Sequence, residues 1–168
     1  TTRLSKVLVM SQLQNITADT REHLKALQNE MLSCAEKLEL PLVHYFVNGV
    51  YGREIFIPAG VLVAGRIHKT EHISIISQGI VEVVTDNVIT GEVLRETYEA
   101  PYTFISPIGT KRMVQALTDT VWTTFHKYEG EQIGEGMEDV MSWPDYESFE
   151  QNLLTESEKP SLLDEVTL

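Results

Sequence analysis

The stretch GVLVAGRIHKTEHISIISQG, residues 60–79, carries two histidines four positions apart between two glycines. β-Branched residues surround the histidines, which is typical of strands. An acid, Glu71, precedes the second histidine, and imidazole and carboxylate are both common metal ligands. The stretch is therefore a metal site, the remains of one, or an ordinary piece of sheet.

The region around this stretch, residues 41–128, has the pattern of a β domain. Asn48-Gly49 separates two β-rich runs, LVHYFV and VYGREIFIP, and is a strong hairpin signal. Further short runs of β-branched and aromatic residues follow, separated by Gly, Pro, Asn and Asp. No helical pattern lies between them, so the crossovers that a parallel sheet needs are lacking. The sequence predicts an antiparallel sandwich or barrel.

The N-terminal extension, residues 1–40, contains a predicted amphipathic helix. Asp19 and Glu22 have the spacing of a capping box, and Pro41 fits a helix stop. Apolar residues recur at spacings of three and four, which predicts one packed stripe: Leu24, Leu27, Met31, Cys34 and Leu38. Cys34 is the only cysteine, so the chain forms no internal disulfide, and we interpret it as a packing residue.

The C-terminal arm, residues 129–168, is acidic. It holds twelve Asp or Glu residues and one Lys, whereas the whole chain has a net charge of −12. Such a charge excludes nucleic-acid binding through clustered Lys and Arg. Trp143, Tyr146 and Phe149 are unusual in a disordered segment, so we expect the arm to lie on something. A short helix is predicted here, with Phe149 and Leu153 on one face.

Membrane insertion and secretion are not expected. No window of the sequence approaches the length of an apolar membrane span. The beginning of the sequence lacks the apolar run and cleavage pattern of a signal peptide.

Glycine and proline spacing in the β region resembles the cupin superfamily. The first cupin motif runs from Gly to Gly around two histidines and a glutamate, and Gly60 and Gly79 lie in its register. Pro107 and Gly109 match the Pro-x-Gly of the second motif. The resemblance implies a jelly-roll β-barrel over residues 41–128. At the four positions that hold the metal in metal-binding cupins, this chain has Arg66, His68, His72 and Arg112.

The amino-acid sequence of these motifs also resembles that of small cupin-like proteins of tailed bacteriophages. That resemblance implies a fold and a viral setting and does not imply a reaction.

Three interpretations of the site remain open. In a plain strand, residues 66, 68, 70, 72 and 74 share one polar face, which could be a barrel interior satisfied by its own hydrogen bonds. Arg66 and Arg112 repel a dication and suit an anion, so these four positions could bind an anionic small molecule or a sugar. Alternatively, His68 and His72 could bind a divalent transition metal with His126 of the final strand.

The sequence favours a non-enzymatic structural or interaction protein without a cofactor. The large helix-bearing and acidic extensions suit a virion or assembly protein that grips neighbouring subunits, as a homo-oligomer or with other virion proteins. Its expected place is the host cytoplasm during assembly, and then the virion. The alternative is a small-molecule cupin, either a metal-dependent enzyme or an anion or sugar binder, that uses the pocket at His68 and His72.

Overall fold

The computed structural model describes the backbone of residues 7–8 and the structure of residues 20–33 and 38–157, with side chains described as far as residue 155. Antiparallel strands dominate this part of the chain, with a helix near each end. The strands are β1 Val7–Leu8, β2 Leu42–Val47, β3 Val50–Ile57, β4 Leu62–Ala64, β5 Ile67–His68, β6 His72–Gln78, β7 Ile80–Asn87, β8 Val93–Glu99, β9 Tyr102–Ser106, β10 Thr110–Ala116, β11 Thr120–Lys127 and β12 Ser142–Trp143. The helices are α1 Arg21–Ser33, α2 Met137–Met141 and α3 Tyr146–Ser157.

Two five-stranded sheets form the barrel. Sheet A has the order β1-β4-β10-β7-β8, and sheet B has the order β2-β3-β11-β6-β9. From β3 onward the chain passes repeatedly between the sheets, so strands that are neighbours in sequence often lie in different sheets. This is the jelly-roll arrangement, and it confirms the predicted fold class.

The predicted hairpin at Asn48-Gly49 is confirmed. Val47 pairs with Val50, so the turn has two residues. Asn48 and Gly49 have φ values of 28° and 79°, the positive values that a primed hairpin turn requires.

The inner faces of the two sheets enclose one apolar core. β-Branched residues from both sheets meet there with two buried aromatic residues, Tyr98 and Trp122. The fully buried members include Ile57, Ile76, Val81, Val83 and Ala116. Strand alternation sends these side chains inward, because successive residues of a strand point to opposite faces.

The outer face of sheet A carries a second apolar core, covered by α1 and α3. Leu24 and Met31 of α1 and Tyr146 and Phe149 of α3 are buried in one cluster with sheet residues such as Met113. The described part of the arm therefore packs on its own barrel and on α1, as the sequence analysis expects of an arm that lies on another surface. The helices α1 and α3 together form one layer on the outer face of this sheet.

Several details of the two helices differ from the sequence prediction. Thr20 Oγ1 accepts the N–H of His23 at 3.3 Å, whereas Asp19, the predicted cap, lies outside the described residues. Cys34 also lies outside them. Leu38 is 40% exposed and is not helical, so it does not extend the stripe of α1. Leu153 of α3 is half exposed, because the buried face of that helix is set by Tyr146 and Phe149.

A buried carboxylate of sheet A binds residues of both helices. Asp86 of β7 has no solvent exposure and accepts hydrogen bonds from Arg21 Nε at 2.8 Å and Arg21 Nη2 at 2.9 Å. The hydroxyl of Tyr146 donates to the same carboxylate at 2.9 Å. One side chain of the sheet therefore contacts the first turn of α1 and the first turn of α3.

The arm also contacts the end of the barrel through strand pairing and ion pairs. β12 pairs with β5, so that Ser142 lies opposite His68. Glu138 of α2 accepts from Arg53 Nη1 at 2.7 Å and lies 3.8 Å from Arg66 Nε. Arg66 Nη2 contacts Asp139 at 2.7 Å. The acidic residues of α2 are thus paired with two barrel arginines.

No helix in the described part of the chain is both long and apolar enough to span a bilayer.

We predict that Asp86→Asn lowers the free energy of unfolding by about 3 kcal/mol, because it removes the charge of a fully buried carboxylate that accepts from both Arg21 and Tyr146. Urea denaturation with circular dichroism measures the change. Glu92→Gln, an exposed acid-to-amide change in the turn after β7, is the matched control. A loss below about 1 kcal/mol, the range of exposed ion pairs, would contradict the role given to Asp86.

Candidate functional site

Three histidines meet inside one end of the barrel, and we call them the histidine cluster: His68, His72 and His126. Their ring centroids lie 4.2, 4.5 and 5.5 Å apart, and one ring nitrogen from each can be chosen so that all three lie within 4.8 Å of one another. His72 and His126 are almost fully buried. The structure therefore brings together the three residues considered for a metal in the sequence analysis.

Strand pairing and one bend place these rings. β5 ends at His68, the chain bends at Lys69 and Thr70, and β6 begins at His72. β11 pairs with β6 so that Phe125 lies opposite Ile73, which puts His126 beside His72 on the inner face. The cluster thus depends on two strands of sheet B and on the short strand that pairs with the arm.

Hydrogen bonds assign the proton on two of the rings. His68 Nδ1 lies 3.3 Å from the carbonyl oxygen of Thr110, and His72 Nδ1 lies 3.4 Å from that of Thr70. A carbonyl only accepts, so each Nδ1 carries the proton and each Nε2 keeps a free lone pair.

In the third ring, that of His126, the hydrogen-bonded nitrogen is Nε2 and not Nδ1. His126 Nε2 lies 2.9 Å from Thr124 Oγ1, and its Nδ1 is buried without a hydrogen-bond partner among the described residues. When Nε2 donates to the hydroxyl, Nδ1 keeps the lone pair. In that tautomer, each member of the cluster presents one unprotonated nitrogen.

Burial keeps all three rings neutral. Desolvation lowers the pKa of His72 to about 4 and that of His126 to about 3. Desolvation also lowers the pKa of His68 well below 6.5, with a further contribution from the neighbouring histidines. At neutral pH the cluster therefore consists of neutral imidazoles, the form that binds metals.

A cavity of about 90 Å³ adjoins the cluster, between the two sheets. Its walls divide into a polar and an apolar part. The polar part is Arg53, His68, His72, Ser74, Arg112 and Thr124. The apolar part is Leu42, Ile55, Ile57, Val63, Val114 and Trp122.

Arg112 of β10 reaches from sheet A toward sheet B. Its Nη1 donates to Ser106 Oγ at 2.8 Å, and its guanidinium lies 5.1 Å from the ring centroid of Phe104. Its Nε is buried without a partner among the described residues. Burial lowers its pKa to about 10, so the side chain is still a cation at neutral pH.

Arg66 lies outside the cavity, whereas His68, His72 and Arg112 line it. Its Nε donates to Ser142 Oγ at 2.6 Å, and its Nη2 contacts Asp139. The expected polar face is interrupted twice: Arg66 lies in the break between β4 and β5, and the chain bends at Lys69 and Thr70. Ser74 is buried, as that face requires, whereas Thr70 is exposed.

Sequence reasoning missed Arg53, Ser106 and Thr124. Period-two alternation along β11 could have linked Thr124 and Trp122 to His126, because all three lie on one face. Arg53 and Ser106 reach the site through pairing between strands distant in sequence, for which the sequence holds no local signal.

No protein-family model matches the chain, and neither does any curated protein. Solved structures do. An RmlC-like cupin family protein with a double-stranded β-helix fold, from Methanocaldococcus jannaschii, is 12% identical, with a TM-score of 0.43 over 58% of this chain and 94% of that one. A cupin-2 domain protein from Shewanella frigidimarina is 10% identical, with a TM-score of 0.41 over 61% and 92%.

An oxalate oxidase is 16% identical, with a TM-score of 0.43 over 50% of this chain. The match spans 44% of the length of the oxidase, less than half of it. Identities this low concern the fold and carry no activity from one protein to another. The chain is a jelly-roll barrel, and its neighbours among solved structures are cupin-superfamily proteins.

Proposed function

We propose that the protein binds one divalent transition metal through His68, His72 and His126 and uses it on a small molecule in the adjoining cavity. The observation that carries this proposal is the convergence of three neutral imidazoles, two of them almost fully buried, with one ring nitrogen from each within 4.8 Å of the others. A barrel interior satisfied by its own hydrogen bonds does not account for the partnerless Nδ1 of His126.

The donor set fits such an ion. Three imidazoles suit zinc, copper, iron and nickel, and three protein ligands leave coordination positions for water and substrate. When bound there, the ion supplies Lewis-acid activation of a bound oxygen. Arg53, the other guanidinium in the cavity wall, is paired with Glu138, which reduces its repulsion of a dication.

The chain's own residues would orient the ligands and limit water. Thr110 and Thr70 accept from two rings through their carbonyls, and Thr124 fixes the third ring through its hydroxyl. Such outer contacts set tautomer and ring orientation. Trp122 and the aliphatic wall keep one side of the cavity apolar.

A role in assembly is the second candidate, and its viral setting remains a prediction. The helix and the described part of the arm pack on their own barrel. One surface favours self-association: residues on the outer face of sheet B lie side by side across the strands, in the order Tyr45, Gly52, Phe125, Ile73, Ile105. Val47 and Ile105 are 68% and 63% exposed. We propose a second copy of the chain as the partner, through this face.

We predict about one equivalent of bound divalent metal per chain, measured by mass spectrometry of tag-free protein after incubation with zinc, iron, nickel or manganese salts. His126→Asn should weaken metal binding at least about 100-fold, because it removes a ligand. Thr124→Val should weaken it about 10-fold, because it removes only the contact that orients the ring.

His23→Asn, on the exposed side of α1, is the control and should leave metal binding unchanged. Metal bound equally well by His126→Asn and by the unmodified protein would reject the histidine cluster as the site. Less than about a tenth of an equivalent after loading would reject the metal itself.

We predict that the metal-free protein loses stability as the pH falls from 6.5 to about 4. The unfolded chain gains protons on histidine near pH 6.5, whereas the folded chain resists protonation of His72 down to about pH 4 and of His126 to about pH 3. Acid therefore favours unfolding, and stability is complete only above pH 6.5. Urea denaturation after chelation, at half-unit pH steps, measures this. The fall should be shallower in His126→Asn, and an identical profile would contradict the assignment.

We predict that Ile105→Lys shifts the protein toward monomer in sedimentation velocity at micromolar concentration, because a charge in an apolar interface is costly. Val140→Lys, at an equally exposed position on α2 outside this face, is the control. A monomer before any substitution would exclude self-association through sheet B.

A further inference from the structure

We propose that Arg112 and the apolar wall of the cavity select a short-chain carboxylate as the small molecule bound beside the histidine cluster. This inference deepens the proposed function, because it assigns the ligand class of the same cavity. It rests on the charge and shape of the cavity walls, so it can hold even where the metal proposal fails.

The first step is the charge of Arg112. No carboxylate within residues 20–33 and 38–155 forms an ion pair with it, in contrast to Arg53, which is paired with Glu138. The hydroxyl of Tyr98 hydrogen-bonds Arg112 and donates its own proton to Glu96 at 2.6 Å, so the charge of Glu96 acts on Arg112 through that hydroxyl. A largely buried guanidinium without a carboxylate in direct contact is costly, and an anion in the cavity would offset that cost.

The second step is the fixed position of the guanidinium. Ser106 accepts from Nη1 at 2.8 Å, and the ring of Phe104 lies against the guanidinium. These two contacts come from β9, on the sheet opposite the one that carries Arg112. A guanidinium held in this way loses little further freedom when it binds an anion, and its planar fork matches a carboxylate.

The third step is the apolar part of the cavity wall. Ile55, Ile57, Val63, Val114 and Trp122 offer no charged group to the cavity. Inorganic phosphate and sulfate would place oxygens against this wall, and a sugar would place hydroxyls there without partners. A carboxylate with a short hydrocarbon chain satisfies both ends at once.

The fourth step is size. The cavity of about 90 Å³ holds roughly six to nine water-sized groups, at about 10–15 Å³ for each. Butyrate has six non-hydrogen atoms and is the probe of matching size. Butyramide has the same shape without the charge.

The experiment is a calorimetric titration of the full chain with butyrate and with butyramide, before and after metal removal by a chelator. We expect saturable butyrate binding that is at least tenfold tighter than butyramide binding. Arg112→Met should reduce butyrate affinity at least tenfold, to the level of butyramide, and should leave the metal content unchanged. Lys127→Met, an exposed cation-to-methionine change at the end of β11, is the matched control.

Equal affinity for the two probes overturns the inference, and so does unchanged butyrate binding by folded Arg112→Met. Should that variant fail to fold by circular dichroism, the comparison of butyrate with butyramide on the unmodified protein decides the question. Arg112-dependent butyrate binding by a protein that takes up no metal supports this inference and rejects the proposed function. Metal uptake by the histidine cluster without butyrate binding supports the proposed function and rejects this inference.

Discussion

Two imidazoles and a guanidinium line one cavity between the two sheets, and the third imidazole lies beside it. Largely buried polar groups need hydrogen-bond or ionic partners, because leaving them unpaired is costly. The backbone carbonyls of Thr110 and Thr70 and the hydroxyl of Thr124 meet part of that need. The remaining lone pairs and the Arg112 charge point to groups from outside the chain: a cation for the imidazoles and an anion for the guanidinium. The two needs are complementary, since a bound metal strengthens the attraction for an anion.

The two sheets differ in how far the rest of the chain covers their outer faces. Sheet A is covered on its outer face by α1 and α3, and its buried Asp86 joins both helices. The outer face of sheet B carries exposed apolar residues in the described part of the chain. The covered sheet supplies Arg112, whereas the uncovered sheet supplies His72 and His126. A partner on sheet B would therefore lie one layer of strands away from the proposed metal.

Much of the fold could be predicted from the sequence, because its signals are local. The turn at Asn48-Gly49 and the regular alternation of short apolar runs specify antiparallel strands. The site was harder to predict. His68, His72 and His126 were each visible as candidates, but their convergence depends on the register between β6 and β11. Arg66 and Arg112 look equivalent in sequence, yet one pairs with the arm and the other lines the cavity, because Arg66 lies in the break between β4 and β5 and not in a regular strand.

The pairing of β12 with β5 makes the arm part of the wall that holds His68. Ser142 lies opposite His68 in that pairing, and Arg53 and Arg66 hold α2 nearby. Any subunit exchange that lifted the arm would have to break backbone hydrogen bonds next to a proposed ligand. A ligand that binds only the form with the arm docked would lower the population of the form with the arm released by the factor 1 + [L]/Kd. A tightly bound ligand would therefore keep each arm on its own barrel, and exchange of arms between subunits would occur mainly in ligand-free protein.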